Sequence, residues 1–163
     1  MKYDLNKKHR VVVPSDVFAA EPSNAAGWAR STIKLTLTAG QIARVGSIIE
    51  YDPITMEGTL SATGIPVNPD NKIGVFFGRD VLVDPTHFER LVASFELDAV
   101  NGVAEVAVVV IARGDGSGQI SPSFLDFAGT DFYSLTVEQQ AAFRAHVEQE
   151  LRFKFIKQQK RVV

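Results

Sequence analysis

Ten residues, 103–112 (VAEVAVVVIA), constrain the fold more than any other stretch of the chain. Six of them are valine or isoleucine, whose side chains are stiff at χ1 and suit a pleated surface better than a helix. Asn101-Gly102 precedes the run and Arg113-Gly114-Asp115-Gly116-Ser117-Gly118 follows it, so turn chemistry brackets both ends. At ten residues it is half the length, about 20, that a helix needs to cross a bilayer. It reads as a central strand buried on both faces, and nothing in or around it carries catalytic chemistry.

The other periodic stretches are short. Residues 33–38 (IKLTLT) alternate, with Ile33, Leu35 and Leu37 on one face of a half-buried strand. Ala39-Gly40 turns the chain into a second strand over 42–51, with Gly46 as a bulge. A short strand is expected at 59–63, and an apolar one at 73–77 that breaks at Gly78. In 88–97, Phe88, Leu91, Val92 and Phe95 fit helical spacing, while the second half is expected to pair with the valine-rich strand through the turn at 100–102. Pro122 removes a ladder donor, which makes 119–127 irregular or a strand edge. One helix is clear. Thr136 and Gln139 form a capping box, and Phe143, Val147 and Leu151 recur every four residues. After Glu150 the period changes to two, so a final strand should follow. The fold class is therefore α+β and β-rich: a small barrel- or sandwich-like domain over 33–163 with one C-terminal helix. Eleven phenylalanines against one tryptophan point to a dry core built on Phe.

Residues 1–32 show no core pattern. They read as an extended N-terminal arm with isolated apolar anchors, Tyr3, Val11, Val12, Val13, Phe18 and Trp28, that order on a partner.

Chemistry is more easily excluded than found. With no cysteine, disulfides, thiolate catalysis and Cys-based zinc sites are ruled out. His9, His87 and His146 are far apart and lack partners at ligand spacing, so no metal site is expected. The loop 114–118 lacks the lysine of a phosphate loop and the spaced carboxylates of a calcium loop. Asp80 and Asp84 fall on turns, where Asp caps backbone. A net charge of −2 gives no reason to expect nucleic-acid binding. The polar start has no secretory h-region, and no segment reaches membrane-spanning length. The expectation is a non-enzymatic protein without cofactor, catalytic or metal residues, and with neither nucleic acid nor membrane as partner. Arg113-Gly114-Asp115 is the tripeptide integrins read, which leaves an adhesive binding module as an alternative.

The order of features over residues 35–82 resembles the head-decoration (capsid cement) proteins of tailed bacteriophages, of the lambda type. The family's "GxxI…YDP" stretch has its counterpart in Gly46-Ser47-Ile48-Ile49-Glu50-Tyr51-Asp52-Pro53. Its "iGvl…dV" strand has one in Ile73-Gly74-Val75-Phe76-Phe77-Gly78-Arg79-Asp80-Val81. A valine-rich strand, a short helix and a terminal strand then follow, as here. Two departures are the length of the arm and of 84–97, and Phe at 76 and 77 in place of aliphatic residues. The resemblance implies a homotrimer on the outer capsid surface of the virion. There it would bridge neighbouring copies of the major capsid protein, with its arm on the shell, and so stabilise the expanded head. The same β-rich, cysteine-free character fits another virion component, such as a head fibre base, head–tail connector or tail-tube subunit.

Overall fold

The computed structural model describes residues 12–20, 28–79, 96–99 and 104–156. A single helical turn, α1 (Pro14–Val17), leads into β1 (Phe18–Ala20). Then come β2 (Arg30–Leu37), β3 (Ile42–Arg44), β4 (Ile48–Tyr51), β5 (Glu57–Leu60) and β6 (Lys72–Arg79). They are followed by β7 (Glu96–Asp98), β8 (Ala104–Ile111), β9 (Gln119–Ile120), β10 (Asp126–Phe127) and β11 (Thr130–Asp131). The chain continues into α2 (Val137–His146), a π turn over Val147–Leu151 and β12 (Lys154–Phe155).

Five of these strands close into a barrel in the order β2-β5-β4-β6-β8. All neighbours are antiparallel except β2 and β5, which meet in parallel through Lys34–Glu57 and Leu35–Gly58. The Lys34 ammonium and the Glu57 carboxylate, 2.6 Å apart, mark this seam on the outside. The barrel interior takes one face of each strand: Ile33, Leu35 and Leu37 of β2, Ile73 and Val75 of β6, and Val108 and Val110 of β8 are buried. The small β-barrel with a C-terminal helix expected from the sequence is thus what forms.

Four local expectations are corrected. Along β8, Glu105 and Ala107 are exposed and Val106 half-buried, so its first half has only one buried face. A closed barrel has an inside and an outside, and only the second half of this strand is covered on both. Residues 42–51 are two strands rather than one bulged strand. Gly46 turns the chain between them at φ +94°, and Ser47 bridges to Asp126. Residues 96–98 pair with β3 rather than with β8. The expected break at Gly78 is instead a register shift between Phe76 and Gly78 within β6.

A second layer closes one side of the barrel. Thr136 accepts from the Gln139 N–H at 3.2 Å, and Gln139 Oε1 accepts from the Thr136 N–H at 3.0 Å, so the capping box forms as read. Phe143, Val147 and Leu151 are all buried. Phe143 meets Phe127 edge to face at 4.8 Å and Phe155 at 5.9 Å, with Phe132 at 6.2 Å. Arg152, at φ 55°, ends the π turn and sends the chain back so that β12 runs parallel to β9. On the other side of β9 lies β1.

Candidate interaction surface

The structure overturns part of the expected partner-binding set. Val12 is 2% exposed and Phe18 6%, and both belong to the core. Phe18 packs against Phe77 at 5.8 Å and Phe153 at 6.4 Å. Val13 is half-buried, and its N–H donates to the Asp16 carboxylate at 3.0 Å. Their sequence shows no core pattern because one helical turn and a three-residue strand are too short to hold a period. Tyr3 and Val11 lie outside the described residues, as do His9, Asp80, Asp84 and His87. Of the six anchors, Trp28 alone is described as exposed, at 40%.

The Arg-Gly-Asp sequence is folded against its own chain. Arg113 donates its Nε–H to the Trp28 carbonyl at 2.6 Å and lays its guanidinium 5.5 Å from the centre of the Trp28 ring. Gly114 is buried beneath the carbonyls of Leu151 and Arg152. The Asp115 carboxylate accepts from both the N–H and the hydroxyl of Ser117, which holds its pKa below the usual carboxylate value.

The most deliberate presentation of apolar side chains occurs at one end of the barrel. In the β4–β5 turn, Asp52 Oδ1 accepts from the Ile54 N–H at 2.7 Å and from the Thr55 N–H at 3.4 Å. Ile54 is left 90% exposed. In the loop between β5 and β6, the Glu50 carboxylate accepts from the N–H groups of Val67 and Asn68, both at 3.1 Å, and from the Asn71 amide at 2.9 Å. Val67 is left 88% exposed. Pro53, Pro66 and Pro69 flank these tips and remove backbone freedom. The loop is seated by Gly64, whose Cα faces the Phe143 ring, and whose N–H donates to Ser61 Oγ at 2.9 Å. Two carboxylates thus hold two β-branched residues out in water, an arrangement that does nothing for the core. The prolines at 53, 66 and 69 and the Asn68-Pro69-Asp70-Asn71 run mark turns in the sequence, but not which side chain a turn leaves exposed.

Two concavities adjoin the tips. One, about 770 Å³, is lined by the acidic Glu50, Asp52 and Glu57 together with Thr59 and Asn68. The other, about 610 Å³, lies between the barrel mouth and α2 and is lined by Tyr51, Pro53, Pro66, Lys72, Arg113 and His146. Burial pushes the Tyr51 phenol above its usual pKa, against the pull of Arg113. Burial also lowers the His146 imidazole, with Glu150 opposing and Lys72 adding to the shift.

Away from this end, Asp126 is a buried carboxyl. It accepts from Ser47 Oγ at 3.2 Å and from the Gly129 backbone. Burial raises its pKa above the ordinary 3.8, opposed by Arg44 and by these hydrogen bonds. Between 3.8 and the raised value the folded state holds the proton more tightly than the unfolded chain. Its stabilising contribution is complete below 3.8 and is lost as pH rises through the folded value. Asp126→Asn, which stays neutral throughout, should remove that component. Melting curves taken from pH 4 to 7 should then fall less steeply with pH in the variant than in the parent; parallel curves would refute the assignment.

Among the described residues, no group of three or more His, Asp or Glu side chains is placed to hold a metal ion, and no helix is long and apolar enough to cross a membrane. Comparison with protein-family models, with curated proteins and with solved structures finds no match.

Proposed function

We propose that this protein is a structural component of a tailed-bacteriophage head, a decoration subunit that binds the outer capsid surface as a homotrimer and cements neighbouring capsid subunits. One observation supports a binding role: Ile54 and Val67 are held in solvent by the carboxylates of Asp52 and Glu50. Rigid presentation lowers the entropy lost on docking, and a few anchor residues carry most of the energy of an interface. The choice of partner comes from the order of sequence motifs, chiefly the stretches at 46–53 and 73–81. The mechanism is mechanical rather than chemical. A subunit that binds only the expanded shell stabilises that shell by mass action, and three contacts per trimer reinforce one another through effective concentration. With Val12 and Phe18 in the core, docking passes to the barrel-end tips and Trp28.

The test is binding to purified expanded shells of the source phage. The parent protein should co-sediment at a ratio near one per major capsid subunit. Ile54→Ser with Val67→Ser should weaken binding by at least about tenfold while shifting folding stability by under about 0.5 kcal/mol, because neither side chain contributes to the core. Full binding by the double variant would move the docking surface elsewhere. A few copies per particle would favour a connector or fibre-base role, and absence from the particle would defeat the reading.

A further inference from the structure

We infer that the cleft between the barrel mouth and α2 binds an acidic, extended polypeptide segment of a partner protein, with Arg113 as its carboxylate anchor. The inference does not rest on the capsid role and stands on the cleft's own chemistry.

Arg113 is oriented before any guest arrives. Its Nε–H is held by the Trp28 carbonyl, and its guanidinium lies 5.5 Å from the centre of the Trp28 ring. Among the described residues no carboxylate forms an ion pair with it. The terminal N–H groups of a guanidinium so fixed form a fork that matches a carboxylate in two parallel hydrogen bonds. Lys72, exposed at the start of β6, adds a second positive charge to the lining. Glu150 supplies its negative charge, so the two cations outweigh it and an acidic guest is favoured over a basic one. Tyr51 also lines the cleft, and burial raises the pKa of its phenol.

The remaining lining defines the rest of the guest. Pro53, Pro66 and Pro69 are rigid and apolar and have no N–H to offer. They suit packing of apolar groups between the acidic ones, rather than strand addition. The cleft's volume, about 610 Å³, far exceeds that of a lone carboxylate and falls within the range of about 300–1,000 Å³ typical of ligand sites. A guest of a few residues fits it, and acetate alone would leave most of it empty.

Trp28 is the chain's one tryptophan and touches the proposed anchor, so its emission reports on the site without a label. The full-length protein would be titrated with the blocked peptide acetyl-Glu-Pro-Glu-Tyr-amide. The same peptide with Gln for Glu, and sodium acetate, would serve as comparisons, and calorimetry would run in parallel. The expected result is a saturable change with the Glu peptide and none with the Gln peptide. Affinity should drop about tenfold in Arg113→Gln and severalfold in Lys72→Gln. Lys72→Gln leaves the Arg113–Trp28 contact intact, so it decides the matter if Arg113→Gln disturbs the fold. No saturable signal at millimolar peptide, equal binding of the Gln peptide, or undiminished binding by both variants would overturn the site. Acetate binding as tightly as the peptide would overturn the polypeptide assignment.

Discussion

Replacing Phe143 with alanine is expected to lower folding stability by about 3–5 kcal/mol. Phe143 is fully buried and joins three rings, those of Phe127, Phe132 and Phe155. The Gly64 backbone also closes on it, so its removal would unseat the loop that carries Val67 as well as the helix. The lost transfer energy and the cavity left among rigid rings add together, because neighbouring phenylalanines relax poorly into the space of a fourth. For a chain of this size the melting midpoint should fall by roughly 10 °C. Urea unfolding followed by circular dichroism measures the change directly. A midpoint within a degree or two of the parent would mean that α2 is not packed on the barrel.

Gly46→Ala should be about as damaging, for a different reason. Gly46 turns the chain at φ +94°, in the left-handed region. A Cβ built there would collide with the Phe124 carbonyl oxygen and lie 3.1 Å from a Val17 methyl. The backbone cannot retreat, because the Gly46 N–H donates to the Phe76 carbonyl at 3.0 Å and the Asp126 N–H donates to the Gly46 carbonyl at 3.0 Å. The conformational cost is about 1–2 kcal/mol and the steric cost about 1–3 kcal/mol, giving about 2–5 kcal/mol together. Gly40 is the control. Its φ is +83°, yet nothing stands within 4 Å of a Cβ there. Gly40→Ala should lose the conformational part alone. Equal unfolding free energies for the two variants would show that Phe124 yields and the clash is harmless.

How much of this was legible in the sequence depended on the length of the pattern. Residues 33–37 alternate, and their buried face, Ile33, Leu35 and Leu37, is the one the alternation marks. The Thr136–Gln139 box and the 143, 147, 151 stripe were equally readable, because both are local and helical. Residues 12–20 were not. A four-residue helix and a three-residue strand hold no period, and Phe18 packs against the distant rings of Phe77 and Phe153. The 96–98 strand failed in the same way, since proximity in sequence favours β8 while register and closure bring it to β3. The barrel-end tips escaped notice because the carboxylates that shape them act across sequence: Glu50 holds a loop some 17 residues further on. A turn cluster announces that the chain reverses, and says nothing about which side chain is left pointing outward.

The pairing of β2 with β8 has a consequence for how the chain reaches this fold. All eight residues of β2 pair with β8, from Arg30↔Ile111 to Leu37↔Ala104, whereas its contact with β5 spans two. The principal partner of an early strand is therefore made about seventy residues later, and contacts so distant in sequence place folding in the slower, millisecond-to-second regime of β proteins. On the ribosome, Ile33, Leu35 and Leu37 emerge with nothing to cover them until the valine-rich strand arrives. The local β4–β5 and β4–β6 pairs can assemble meanwhile, but the barrel cannot close. The same ten residues that constrain the final structure most thus also set the moment at which it can first exist.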